Sequence, residues 1–159
     1  MTAAIHKFTP ATPAPANDDR EALLAAVSEL HALITLDRVE GASPVRIYFV
    51  MSPQGKREVS ARLASAAPTP EMYALIAYDF SFALFQFEMA GGQTTPARAK
   101  EIISSSAELQ EDSLVRAAAV VGLHATPVAM FDAEGLKAVF FPNTQETVVH
   151  VVRLRRAGV

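Results

Sequence analysis

One stretch of the chain, from Ile102 to Asp132, constrains the fold more than any other. Eight of its residues recur at three- and four-residue steps, which places them on one side of an α-helix: Ile103, Ser106, Gln110, Ser113, Leu114, Ala117, Ala118 and Val121. Because this side is rich in serine and alanine, another backbone can approach it closely. Glu108, Glu111 and Arg116 lie elsewhere on the helical wheel. We therefore expect a long helix that packs at the molecular centre or against a second copy of itself.

The end of this helix is also marked in the sequence. Gly122 follows the last apolar position, and glycine adopts the left-handed conformation that commonly terminates a helix. Pro127 then prevents the helix from resuming, because proline cannot donate a backbone hydrogen bond. We expect a turn between these two residues.

The residues around this turn resemble a known family. The pattern A-x-x-V-G-L at Ala118–Leu123, followed by small residues, a proline and the pair Phe131-Asp132, is similar to the flavin-dependent nitroreductases. The likeness is to the branch that includes malonic semialdehyde reductases. The resemblance implies an α+β fold, with an α/β-type mixed sheet flanked by helices. It also implies that the long helix lies at the core of an intertwined homodimer.

The order of the other predicted elements resembles the same branch. Periodicity and turn residues predict helices and strands in this sequence: a helix over 18–35, a buried strand over 45–51, a helix from Ser52-Pro53 to Ala66, a second buried strand over 72–79, a helix over 133–140 and a strand over 147–153. Asp132 is the expected cap of the fifth of these elements. His31, near the apolar stripe of the first helix, is expected to be a partly buried structural histidine.

Length and composition predict one globular domain. A chain of 159 residues can bury roughly 70% of its unfolded surface, and half of these residues are apolar. Residues 1–16, rich in proline, alanine and threonine, are predicted to be an extended N-terminal arm, and residues 17–159 the domain. The net charge of −3 offers no basic surface for nucleic acid or an anionic membrane. With no cysteine and no signal or membrane-spanning pattern, a cytoplasmic location is expected.

The resemblance also implies a cofactor, flavin mononucleotide (FMN), with NAD(P)H as the electron donor. Family positions transfer to seven residues of this chain, in three groups. The phosphate is expected near His6, Lys7 and Arg155, the ribityl chain or ring edge near Ser43 and Arg46, and the ring near His124 and Thr126. The implied activity is the two-electron reduction of a small nitro, quinone or enal-type acceptor.

A second interpretation remains open at this stage. Before Phe8 the chain has only His6 and Lys7 where the family has arginines, and Thr126 replaces a glycine beside the flavin ring. The family's asparagine before the first strand is absent, and Glu40 lies nearby. These departures are compatible with a dimer that has lost flavin and acts as a small-ligand-binding or regulatory module.

The segment Phe80–Met89 has four phenylalanines and is open to two interpretations. It could form the wall of a ligand pocket, or it could be ordinary core or interface packing. In either case several of these rings should be buried, since otherwise they would form a large exposed apolar patch.

Overall fold

The computed structural model describes residues 17–36, 45–65, 67–89, 91 and 95–157. Its helices and strands follow one another in this order: α1 (Asn17–Leu36), β1 (Val45–Val50), α2 (Pro53–Ser60), β2 (Met72–Asp79), α3 (Phe80–Met89), α4 (Pro96–Val120), β3 (Leu123–Pro127), α5 (Ala133–Phe140) and β4 (Glu146–Arg156). This content confirms the α+β class. The predicted arm over residues 1–16 lies outside the described residues and stays a prediction.

The four strands form one sheet in the order β1-β2-β4-β3. Each of the three pairings within it is antiparallel. The predicted mixed sheet is therefore wrong for the described strands. Strands β2 and β3 run in the same direction, but β4 lies between them and is antiparallel to both. The register between β2 and β4 shifts at Ile76/Ala77, so that Ile76 is opposite His150 and Ala77 is opposite Val148.

Helices cover both faces of the sheet. On one face, α1, α3 and α4 enclose a core that includes Leu30, Ile34, Ile103 and Leu114. On the other face, α2 and α5 pack over a second core that includes Val59 and Leu136. We call these the α4 face and the α5 face. Because apolar contacts form on both sides, seven successive residues of β2 are buried, as predicted for this strand.

Helix α4 confirms the long helix that was predicted in the stretch from Ile102 to Asp132. It is capped by the Thr95 side chain, which accepts a hydrogen bond from the Arg98 amide at 3.2 Å. The eight residues on its predicted inner side are all buried or half-buried. Gly122 has φ of +77°, the left-handed conformation expected at the helix end. The segment after it is strand β3 rather than a simple turn, because it pairs with β4.

Three other predictions need correction. Helix α2 ends at Ser60 instead of Ala66, because Leu63 pairs with Phe131 and the neighbouring backbone groups bond across to that segment. Strand β1 lies at the sheet edge and is only half-buried, since it has one strand neighbour. His31 is exposed, because position 31 lies at the margin of the side of α1 that buries Leu30 and Ile34.

The phenylalanine-rich segment is helix α3, whose first turn is capped by Asp79. The Asp79 carboxylate accepts a hydrogen bond from the Phe82 amide at 3.0 Å. Phe80 and Phe82 are half-buried, whereas the Phe85 side chain is exposed. The expected burial is thus only partial. No described helix has the combination of length and hydropathy that a membrane span requires.

Candidate functional site

Two arginines and a histidine come together at the β3–β4 ladder. His124 on β3 lies directly opposite Arg155 on β4, and Thr126 lies opposite Arg153. Residues that are directly opposite in an antiparallel pair point to the same face, with Cβ atoms about 5 Å apart. The alternation of β4 places them on the α5 face, because Leu154 and Val152 belong to the core on the α4 face. We call His124, Arg153 and Arg155 the basic cluster.

A loop between α2 and β2 holds the two arginines of the basic cluster. The Arg153 guanidinium donates to the Ser65 hydroxyl at 3.3 Å, and the Arg155 guanidinium donates to the Pro68 carbonyl. The Nε of Arg153 is buried and has no hydrogen-bond acceptor among the described residues. Because an unsatisfied buried donor is costly, an anionic group or a water molecule at this position would be stabilising.

Arg46 lies far from the basic cluster. Arg46 is opposite Ala77 of β2. Leu154, the residue before Arg155, is opposite Met72 at the other end of the same strand. Ala77 and Met72 are five positions apart on β2, which corresponds to about 17 Å along the strand. The structure therefore brings together His124, Thr126 and Arg155 of the predicted residues, and it places Arg46 elsewhere.

The surroundings of Arg46 are acidic. Its guanidinium lies 3.7 Å from a carboxylate oxygen of Glu146, and the same oxygen accepts a hydrogen bond from the Tyr48 hydroxyl. The hydrogen bond with Tyr48, together with the negative charges of Glu146 and Asp79, raises the pKa of Arg46 above its ordinary value. Burial, and then the hydrogen bond to Glu146, raises the pKa of Tyr48. Arg46 therefore has protein partners of its own.

The remaining predicted residues, His6, Lys7 and Ser43, lie outside the described residues. Whether they contact a cofactor stays a prediction, as it does for the four described residues. The ladder makes His124 and Arg155 direct neighbours, whereas the resemblance implies that they serve different parts of the cofactor.

The structure also shows a surface groove that the sequence did not indicate. An open cavity of about 760 Å³ lies between the segments 61–64 and 129–133, with Arg62, Met130 and Asp132 on its walls. Met130 is 69% exposed. The Arg62 side chain is paired with Glu58 at 2.7 Å, and the backbone of residues 62 and 64 bonds to residues 132 and 130. No periodicity in the sequence marks this groove, because it depends on the pairing of two distant segments.

Comparison with known structures places the fold. No protein-family model matches the chain. A nitroreductase family protein from Streptococcus pneumoniae superposes with a TM-score of 0.67 over 89% of this chain and 82% of the other, at 12% identity. The chain has the nitroreductase fold. One from Clostridium novyi aligns with a TM-score of 0.61 over 87% of this chain and 74% of the other, at 15% identity.

A further structure with the nitroreductase fold contains a ligand. This protein, from Exiguobacterium sibiricum and assigned to the nitroreductases, was solved in complex with FMN. It superposes with a TM-score of 0.64 over 88% of this chain and 79% of the other, at 12% identity. At such identities the likeness establishes the fold and nothing about individual side chains. The fit of FMN to this chain has to be judged from its own residues.

The described residues fit the phosphate end of such a nucleotide. A phosphate needs cationic donors at close range, and guanidinium groups are the most suitable ones because they form paired hydrogen bonds. The basic cluster offers two guanidiniums and an imidazole on one face of the ladder, with a buried Nε still unpartnered. Arg46, which is expected at the ribityl chain or ring edge, lies 3.7 Å from the Glu146 carboxylate and away from these donors.

Proposed function

We propose that this protein is an FMN-dependent NAD(P)H oxidoreductase that performs a two-electron reduction of a small nitro, quinone or enal-type acceptor. The observation that carries the proposal is the basic cluster, because it offers anion-binding chemistry within a nitroreductase fold. The FMN complex of the Exiguobacterium protein supports the choice of cofactor.

In this proposal the basic cluster binds the FMN phosphate. Arg155 and Arg153 supply the guanidinium donors, and His124 contributes a third donor from the neighbouring strand. The loop residues Ser65 and Pro68 hold the guanidiniums in place, which lowers the entropy lost on binding. FMN, when bound, accepts a hydride from the nicotinamide and passes two electrons to the acceptor. The protein residues bind and orient the cofactor and limit the access of water.

The proposal includes a homodimer. Three large apolar side chains are exposed on α3 and α4, with Phe85 at 56%, Met89 at 73% and Leu109 at 64%. Exposed apolar side chains on neighbouring helices are typical of a surface that another chain covers. A second copy is the occupant that the resemblance implies. Sedimentation should give twice the 17.0 kDa chain mass at micromolar concentration, and a Phe85→Asp variant should sediment as a monomer.

The first test is an absorbance spectrum, recorded before and after the protein is incubated with FMN and desalted. A retained flavin band supports the proposal. FMN at 100 times its dissociation constant should also stabilise the fold by about 2.7 kcal/mol, which a melting curve would show. A colourless protein with an unchanged melting temperature would contradict the proposal and favour the flavin-less binding module.

Variants then connect the binding to the basic cluster. Arg155→Ala and Arg153→Ala should each weaken FMN binding about tenfold, since a charged hydrogen bond contributes roughly 1.5–3 kcal/mol. Arg116→Ala is the matched control, because Arg116 lies on the exposed side of α4 and bonds only weakly to Ser113 at 3.4 Å. Equal FMN affinity in all three variants would remove the basic cluster from the cofactor site, even if the wild-type protein bound flavin.

A further inference from the structure

A second cavity lies at the opposite edge of the sheet from the basic cluster. It has a volume of about 600 Å³ and opens between strand β1 and the C-terminal end of α5. The residues that line it include the aromatic residues Tyr48, Phe140 and Phe141 and the acidic residue Glu146. Tyr48 and Phe141 pack with their ring centroids 4.9 Å apart and their planes tilted by 58°. Since β1 and β3 are the two edge strands, this cavity is separate from the proposed flavin site. We call it the aromatic groove.

The carboxylate of Glu146 is unusually buried for a charged group. Its side chain is 9% exposed, and the described contacts both use the oxygen Oε1. Burial of a charge is costly unless another charge compensates it. The Tyr48 hydroxyl supplies a neutral donor, and because burial raises the pKa of Tyr48, this hydroxyl keeps its proton at neutral pH. Tyr48 is therefore neutral and does not compensate the charge of Glu146.

The cation that faces Glu146 compensates it only weakly. The Arg46 side chain is 60% exposed and its nitrogen is 3.7 Å from the carboxylate oxygen. Such a solvated pair contributes little, because water screens it. Asp79 lies opposite Glu146 on the β2–β4 ladder, and it adds a second negative charge. With one guanidinium against two carboxylates, this part of the described structure has an excess of one negative charge.

A buried carboxylate with aromatic walls is the chemistry that recognises an organic cation. Aromatic faces attract ammonium groups, and the attraction increases when water is excluded. The carboxylate supplies the countercharge, and the rings also accommodate an apolar substituent. We propose that the aromatic groove binds a primary ammonium carried on an apolar group, with Glu146 as the countercharge and with Tyr48, Phe140 and Phe141 as the walls. This site does not depend on flavin.

The test uses phenethylammonium as the probe and 2-phenylethanol as its neutral counterpart. The full chain is titrated with each compound and binding is followed by protein NMR. We expect saturable binding of phenethylammonium and at least tenfold weaker binding of 2-phenylethanol. No saturable binding up to about 10 mM, or equal binding of the two compounds, would overturn the proposal, because a millimolar constant is the weakest affinity of interest.

Four variants, one of them a control, make the test more specific. Glu146→Gln should raise the dissociation constant at least tenfold, whereas Glu134→Gln, on the exposed first turn of α5, should leave it unchanged. Phe140→Leu should weaken binding about threefold, since it removes one aromatic wall and keeps an apolar side chain. Arg46→Gln should strengthen binding, because it removes the competing guanidinium.

The Arg46→Gln variant also distinguishes an effect on ligand recognition from an effect of damage to the fold. A variant that merely perturbed the protein would not bind more tightly. If Glu146→Gln fails to fold, weaker or unchanged binding in Arg46→Gln overturns the proposal on its own. Failure of the flavin experiments would leave these outcomes unaffected, since the two sites lie at opposite sheet edges.

Discussion

The Nδ1 atom of His150 lies 3.0 Å from a carboxylate oxygen of Glu111, and this contact joins strand β4 to the long helix α4. Both side chains are largely buried, at 25% and 19% exposure. Because both side chains are partly shielded from water, the contact should contribute more to stability than a solvent-exposed pair on a single helix.

A double-mutant cycle checks this contribution. The free energy of unfolding of Glu111→Ala, His150→Ala and the double variant should give a coupling of about 1 kcal/mol. The exposed pair Arg98–Glu101, at 2.9 Å on α4, is the control. Its coupling should stay below about 0.5 kcal/mol. Equal coupling in the two cycles would show that partial burial adds nothing here.

Gly135 and Asp132 should be coupled through the cap of α5. The Asp132 carboxylate accepts a hydrogen bond from the Gly135 amide at 3.0 Å, and a Cβ on Gly135 would clash with that carboxylate. Gly135→Ala should therefore destabilise the protein by less than about 1 kcal/mol, because a lost cap costs up to about 2 kcal/mol and alanine regains up to about 1 kcal/mol of helix propensity. In an Asp132→Ala background the same change should stabilise it. Urea denaturation of the four proteins measures both signs, and a stabilising effect in the wild-type background would contradict the clash.

Gly122 should resist substitution for a different reason. Its φ of +77° is left-handed, and nothing lies within 4 Å of an added Cβ. Gly122→Ala should therefore cost about 1–2 kcal/mol from backbone strain alone, and Gly122→Asn should cost less. Thermal unfolding of both variants would show this order. If alanine cost no more than asparagine, the left-handed conformation would not be the constraint.

Tyr48 should make stability depend on alkaline pH. Its folded pKa is raised above the ordinary value of 10, first by burial and then by the hydrogen bond to Glu146. A group whose pKa is higher in the folded state than in the unfolded state makes its full contribution to stability below the unfolded pKa. This contribution is lost as the pH rises through the folded pKa. The free energy of unfolding should thus fall above pH 10, and fall less steeply in Tyr48→Phe. Identical slopes would remove Tyr48 as the cause.

The Tyr48→Phe variant should also be less stable at neutral pH. Removing the hydroxyl leaves the buried Glu146 carboxylate without its neutral donor, which should cost about 1.5–3 kcal/mol. Tyr73→Phe is a useful control, because the Tyr73 hydroxyl bonds at 2.7 Å to the Ser60 hydroxyl and involves no charge. Chemical denaturation should show a smaller loss for Tyr73→Phe.

The sequence was sufficient where a single element determines the outcome. The inner side of α4, the buried strand β2 and the cap at Asp132 were each predictable, because periodicity and capping act within a few residues. The end of α2 was not. It depends on the pairing of Leu63 with Phe131, which lie 68 positions apart. Strand β3 was missed for the same reason, since its pairing partner β4 lies beyond α5.

The sequence predicted the candidate site less completely than it predicted the fold. Resemblance to a family identified Arg155 and His124 separately and assigned them to different parts of a cofactor. The register of β3 against β4 makes them direct neighbours, and it places Arg153 beside them. Arg46 was selected without its acidic partners, because Glu146 lies 100 positions away. Charge compensation between distant residues cannot be inferred from either residue alone.

The strand order has a consequence for how this protein is made. Strand β2 obtains its second neighbour, and β3 its first, only from β4, which follows every other described element. A nascent chain that has emerged as far as α4 can pair β1 with β2 and nothing more. Sheet completion should therefore wait until β4 leaves the ribosome, and until then the apolar faces of β2 must be shielded by helices or chaperones.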